Sequence, residues 1–373
     1  MSESNESVNL FCLTAVPQAD YQTNLAASSV SKKHRQIKKK DRQFANYTVQ
    51  TSDDKGSSTG TSFPTEKRIE SHDVTINLTE DLTSQLLPER AYAAMGLIDS
   101  EEVDVDKSWQ HTIEILNPQD SAQLPAYGYA EKAGESASRP NAHNKAYPSM
   151  VSDGWTVNGE GKAILTSTLA MCGSGKQTSP SGITFFGGGS QVILLEDVVK
   201  KNYFRNSAGK LKLYPEKELG GTVFNVNCAF RNLQLSINPN LQKEAGYLGC
   251  GLFQTAGDSE SGAIRGKCEI GDWMVQFNFT VIADDAYDPF PKLKTMQSIS
   301  AQLDYEGATI PTTTTKHKAS FILNAANIVS IEHTIVDGKN GWRITTEPLA
   351  IGQVMPFKLV VINDVESYST VSW

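Results

Sequence analysis

The 373-residue chain lacks a Cys-x-x-Cys pair, an apolar run long enough for a membrane span, and any excess of basic charge. Each absence excludes something. A helical span needs roughly 18 or more apolar residues in a row, so no such anchor is expected. The first twenty residues are acidic and lack the charged-then-apolar order of a secretory signal. The product is expected to be soluble and, when made, intracellular. Cys12, Cys172, Cys228, Cys250 and Cys268 are odd in number and scattered. They read as reduced thiols serving as small hydrophobes in a cytoplasm. The formal net charge is −8. A chain built mainly to grip DNA is usually basic, so nucleic acid is not the expected tight partner. A composition of 39% hydrophobic and 20% charged residues allows a core and a soluble surface together.

Catalytic and cofactor motifs are also missing. Gly173-Ser174-Gly175-Lys176 invites comparison with a phosphate-binding loop, but that motif needs Gly four residues before its Gly-Lys and Ser or Thr after it. Ala170 and Gln177 stand there instead. Gly187-Gly188-Gly189 lacks the strand–helix setting in which glycines hold a pyrophosphate. His34, His72, His111, His143, His317 and His333 show no metal-binding spacing. No Gly-x-Ser-x-Gly elbow occurs. Asp53-Asp54 and Asp284-Asp285 read as solvated loop charges. No catalytic, cofactor or metal residue is nominated, and a structural role is expected over an enzymatic one.

What is present is alternation. In Gly271–Ile282, Trp273, Val275, Phe277, Phe279 and Val281 fall on one face, with Gln276, Asn278 and Thr280 on the other. Thr222–Ile237 carries Val226, Cys228 and Phe230, then Leu233, Leu235 and Ile237 beyond Arg231–Asn232. Period two is the mark of half-buried strands.

The same reading runs along the chain. Met1–Arg42 is an arm without apolar periodicity, ending in the basic stretch Lys32–Arg42. Phe44–Thr51 and Glu66–Thr79 are strands. A helix capped by Thr79 or Asp81 carries Leu82, Leu86, Tyr92 and Met95 and stops at Gly96, with Pro88 kinking it or a start at Leu87. The acidic run Asp99, Glu101, Glu102, Asp104 and Asp106 precedes a strand through Trp109, His111, Ile113 and Ile115. Pro118–Gly161 is rich in Pro, Gly and Ser and reads as a surface insertion in a single domain spanning residues 43–373. Ala163–Cys172 is expected as a short helix capped by Gly173. Ile193–Leu195 and Leu211–Tyr214 are short strands. Leu233–Ile237 and Tyr247–Phe253 are expected to form a hairpin about Asn238-Pro239-Asn240. A second hairpin joins Ile331–Val336 to Trp342–Thr346 about Asp337–Gly341. Met355–Asn363 is the last strand.

This order of elements resembles the tail-tube proteins of long-tailed bacteriophages. The resemblance lies in Glu66–Ser71, the strand Val74–Leu78 and the helix ending Ala91–Gly96. Gly221–Ile237 with Gly246–Phe253, and Lys318–Asn324 with Ile328–Val336, extend it. It covers about half the chain. It implies a mainly β fold, an antiparallel β-sandwich or barrel with one or two short flanking helices and long loops. It also implies a non-enzymatic virion protein of the phage tail that stacks as homo-oligomeric rings, commonly hexameric in that family, with DNA only in passage, other virion proteins as partners, no cofactor and no membrane. A net-negative wall agrees with passage, because it repels phosphates. Other virion components (capsid, tail-terminator or tail-tip protein) and a β-rich binding module are the alternatives. On the tube reading, Leu233, Leu235, Ile237 and Leu248 are expected in an intersubunit sheet lining the channel. Lys38, Lys39 and Lys40 of the arm are expected to meet Asp104 and Asp106 of a neighbour. Seven Lys/Arg against one Asp in Lys32–Arg42, and five carboxylates without a base in Asp99–Asp106, motivate that pairing. The bland counterpart is two solvated loops that never meet.

Overall fold

The computed structural model describes residues 10–13, 35–36, 45–54, 66–117, 124–132, 145–160, 162–171, 202, 204–205, 209–215, 219, 223–225, 230–242, 270–283, 290–296 and 298–369. The first strands are β1 (Leu10–Leu13), β2 (Arg35–Gln36), β3 (Ala45–Asp54) and β4 (Glu66–Asp81). Helix α1 (Leu86–Met95) leads into β5 (Gly96–Asp104) and β6 (Ser108–Ile115). Next come β7 (Ala126–Lys132), β8 (Lys145–Glu160), β9 (Lys162–Met171), β10 (Lys210–Tyr214) and β11 (Phe224–Asn225). Then follow β12 (Phe230–Asn238), β13 (Met274–Ile282), helix α2 (Phe290–Thr295) and β14 (Ser298–Thr309). The last are β15 (Lys316–Val336), β16 (Lys339–Pro348) and β17 (Phe357–Asn363). Among the described residues the fold is mainly β, with one large antiparallel sheet and two helices.

Two long strands organise that sheet by changing neighbours along their length. The first half of β15 lies between β14 and β17, and its second half pairs with β16. Strand β8 has β9 on one edge, while β7 and then β12 share the other. Both strands break register near the switch, at Ile328/Ser330 and at Ser152/Trp155. A bulge bends its strand and sharpens its twist, so one strand can serve two differently directed groups of neighbours. Gly154 makes the bend in β8. Its φ is +117°, and a Cβ there would lie 2.6 Å from the carbonyl oxygen of Ile237.

The core fills the space these groups enclose. Leu359, Phe321, Phe277, Phe279 and Leu235 come from four strands and are fully buried in one cluster. Trp155 of β8 packs against Phe321 of β15 and Phe357 of β17, with ring centroids 6.4 Å apart in each case. Alternation survives in β17, where Phe357, Leu359, Val361 and Asn363 are buried and the residues between them are half-buried. In β13, Phe277, Phe279 and Val281 are buried as the period-two reading requires, and Trp273 and Val275 pack against the same core.

Helix α1 is buried almost all round. Its start is set by neither Thr79 nor Asp81, both of which lie in β4. The Leu86 N–H donates to Thr83 Oγ1 at 3.2 Å instead. Pro88 sits in the first turn, where its missing N–H costs no helical hydrogen bond. Gly96 ends the helix at φ +90°, donating its N–H to the Tyr92 carbonyl.

Four expectations need correction. Ala163–Cys172 is not a helix, since Lys162–Met171 is strand β9, paired with β8 and β4. Leu165 and Leu169 are four apart and fit either period, and the β-branched Ile164, Thr166 and Thr168 favour the strand. The segment Pro118–Gly161 is no surface insertion where it is described. It supplies β7 and β8, with Val151, Trp155 and Val157 in the core. The arm is not free of the fold in its described parts, because β1 pairs with β7 and β2 pairs with β1. Strand β12 does not form the expected hairpin with Tyr247–Phe253, which lies outside the described residues. Leu235 stands between Phe277 of β13 and Val157 of β8, so both edges of β12 are taken. The second hairpin forms as expected but on a shorter turn, Asp337-Gly338, because Lys339–Gly341 already belong to β16. Both turn residues have positive φ, 52° and 73°, the geometry that favours Asp-Gly in two-residue turns.

Candidate functional site

Two kinds of feature have chemistry to offer, buried polar clusters and open strand edges. The first cluster ties α1 to the C-terminal segment. Buried His111 accepts from Ser100 Oγ at Nδ1, 2.9 Å away. Its Nε2 donates toward Asn363 Oδ1 at 3.1 Å and the Val365 carbonyl at 2.9 Å. Burial drives the His111 pKa down to about 4, with those two acceptors only partly opposing it. The ring is therefore neutral near pH 7. Asn363 Nδ2 donates to the Ser84 carbonyl and to the Tyr368 hydroxyl. That hydroxyl donates in turn to the Gln85 carbonyl.

Ser84 Oγ lies 2.9 Å from His317 Nδ1. The nearby Asp364 charge partly offsets the burial that lowers the His317 pKa. Serine, histidine and aspartate in this order suggest a nucleophile, its base and an orienting carboxylate. Here the geometry fails that role. Ser84 is fully buried and His317 nearly so, which leaves a substrate no path to Oγ. Asp364 Oδ1 instead accepts from the Gln85 side chain at 3.1 Å. These groups clamp the entry to α1 onto β15 and β17.

A second buried set is ionic. Arg90 donates through Nε and Nη2 to Glu80 Oε2 at 3.1 and 3.0 Å, and its Nη1 lies 3.2 Å from Glu89 Oε1. Among the described residues no group of three or more His, Cys, Asp or Glu side chains is placed to hold a metal. No described helix is long and apolar enough to cross a membrane.

The expected contact residues divide three ways. Leu233, Leu235 and Ile237 are 1%, 0% and 0% exposed. They belong to the chain's own core and have no surface left for a neighbour, so their place in a channel-lining intersubunit sheet is withdrawn. Alternation had marked them as facing something apolar, and that something is Phe277, Phe279 and Trp155 of the same chain. Leu248, Lys38, Lys39 and Lys40 lie outside the described residues. Asp104 is engaged within the chain, accepting from Ser108 Oγ and from Thr315 Oγ1. Those two hydrogen bonds hold its pKa below the usual carboxylate range. Asp106 is exposed in the β5–β6 turn at φ 56°.

Sequence reasoning passed over the edges themselves. Past Ile328, one edge of β15 pairs with β16, and no described strand pairs with the other. Val329 and Ile335 on this stretch are 62% and 69% exposed. A groove of about 580 Å³ runs beside it, lined by Phe290, Leu293, Lys294 and Met296 of the α2 region and by residues 327–331. Strand β5 is a second open edge, paired only with β6 among the described residues. It exposes Leu97, Asp99, Glu101, Glu102 and Val103, while Ile98 packs on the core and Ser100 holds His111. Its acidic groove of about 520 Å³ is lined in part by Asp99, Glu102, Asp106, Trp109 and Glu366. No family model matches this chain, and no curated protein matches it.

Proposed function

We propose that this chain is a non-enzymatic, self-assembling structural protein of a virion, a subunit of the stacked rings of a phage tail tube through which DNA passes. The open apolar edge of β15 carries the self-assembly part of this reading. Over residues 328–336 no described strand pairs with the edge away from β16, and the stretch exposes Val329 and Ile335, with Glu332 its one carboxylate. Chains meant to stay single blunt such edges with charge, proline or a covering element. The resemblance in element order supports the tube in particular, and the net charge of −8 suits a wall that phosphates do not stick to.

Negative-stain microscopy of the purified full chain tests the reading. Rings or tubes with a central hole are the expected result. Closed shells would move the chain to a capsid role, and single rings that never stack to a terminator or tip. Monodisperse monomers at high concentration would overturn self-assembly and leave a β-rich binding module.

A further inference from the structure

Beyond Asn327 strand β15 loses one neighbour. Asn327 itself lies between Ser298 of β14 and Glu347 of β16. Past it no described strand continues on the β14 side, where the chain entering β14 comes from α2. There the open edge adjoins the groove of about 580 Å³ lined by Phe290, Leu293, Met296 and residues 327–331. Leu293 in that lining is fully buried. At the far end of the same edge Ile335 is 69% exposed. Ile331, His333 and Ile335 share one face by parity. That face carries α2, since His333 stands opposite Trp342, whose ring stacks on Phe290 with centroids 4.1 Å apart.

We propose that two copies of this chain pair their β15 edges antiparallel about a two-fold axis at His333, so that Ile335 of each enters the α2 groove of the other. The inference rests on the self-assembly reading of this edge and goes beyond the ring. A two-fold contact closes on itself, so it makes a pair, and ring closure needs a further contact elsewhere. A second copy is favoured over an unrelated strand because one stretch of β15 carries both halves of the match. The groove lies at one end of the edge and the exposed isoleucine at the other, and a two-fold axis between them brings each onto its counterpart.

The edge fits itself in one register. A two-fold axis perpendicular to a sheet keeps every side chain on its own face, so the residue at the axis pairs with itself. With His333 there, Ile331 lies opposite Ile335, Glu332 opposite Thr334 and Ser330 opposite Val336. Ile331 lines the groove, so the partner's isoleucine arrives at its mouth. The neighbouring registers fail. Centring on Glu332 sets two carboxylates directly opposite, which destabilises a ladder. Centring on Ile331 brings Ile335 against Asn327, where β14 already holds the edge. Centring on Thr334 runs Ile331 into Asp337 of the turn.

Sedimentation velocity of the full chain at rising concentration is the first test. A weak monomer–dimer equilibrium is expected, because a ladder over residues 330–336 makes a contact at the small end of specific interfaces. Ile335→Asp changes an exposed side chain and is expected to raise the dissociation constant about tenfold or more, since each copy would then bury a carboxylate in the other's apolar groove. Val105→Asp, at a site 74% exposed in the β5–β6 turn, is expected to leave it unchanged. His333→Cys sets two thiols opposite one another across the axis, with Cβ atoms about 4.5–5.5 Å apart, close enough for a disulfide after small adjustment. Mild oxidation of that variant is expected to give a linked dimer whose tryptic peptide joins residue 333 to residue 333. The native chain, oxidised alongside, controls for its own cysteines. A monomer at every concentration, an unchanged dissociation constant in Ile335→Asp, or a thiol at 333 that links only within its own chain overturns the pairing. Rings or tubes formed equally by Ile335→Asp, with no such linked peptide, would remove this contact and leave the tube reading standing. Linked dimers that never form rings would do the reverse.

Discussion

Acid should loosen this protein through His111 before its ordinary carboxylates titrate. The ring is buried, its pKa is depressed to about 4, and an unfolded histidine titrates near 6.5. Between those values the unfolded chain holds about one more proton than the folded one at this site. Stability then rises with pH through the window and falls as acid is added. The contribution is fully present above about 6.5 and is gone below about 4. At about 1.36 kcal/mol for each pH unit, the loss between pH 7 and pH 4.5 comes to about 2–3 kcal/mol. That is a large share of a typical folding free energy. His317, also lowered by burial, adds a loss of the same sign, so the comparison must isolate His111. In the variant His111→Gln an amide donor and acceptor replace the two ring nitrogens without a titrating group. Urea unfolding followed by far-UV circular dichroism at pH 7 and pH 4.5 measures the difference. The variant is expected to be less stable at pH 7 but to lose about 2–3 kcal/mol less than the native chain on acidification. An identical loss in both chains, or an NMR titration placing His111 near 6.5, would refute the argument.

Two further outcomes test the packing. Leu235→Ala should cost about 2–5 kcal/mol in urea unfolding, because it empties a fully buried site between β13 and β8. A variant of native stability that merely fails to assemble would return Leu235 to an interface. Gly154→Ala should cost more than about 3 kcal/mol, since positive φ and a carbonyl 2.6 Å from the new Cβ act together. Gly338→Ala, with open space around it, should cost only about 1 kcal/mol for the left-handed backbone. The reverse ranking in midpoint urea concentration would contradict the bend assigned to β8.

Local chemistry alone settled much of the fold. Alternation located β6, β12 and β13, because a residue's face in a strand depends only on its parity. Asp337-Gly338 marked its hairpin, because few other residue pairs tolerate two positive φ angles in succession. Gly96 marked the end of α1 for the same kind of reason. What alternation cannot say is what an apolar face meets. Leu233, Leu235 and Ile237 looked ready for a neighbouring subunit, and the tertiary structure turns them onto Phe277, Phe279 and Trp155. Pro, Gly and Ser suggested a loop at 118–161, yet Gly154 is the bend that lets β8 enter the core. Leu165 and Leu169 satisfy helix and strand alike, and only pairing with β8 and β4 decides for β9. The charge of Asp99–Asp106 was legible from composition. That Asp104 is engaged, while Asp99 and Glu101 have no partner among the described residues, was not; the Asp104 contact depends on Thr315, 211 residues away. Hydrogen-bond partners so distant in sequence are set by how the sheet closes, and no local pattern encodes them.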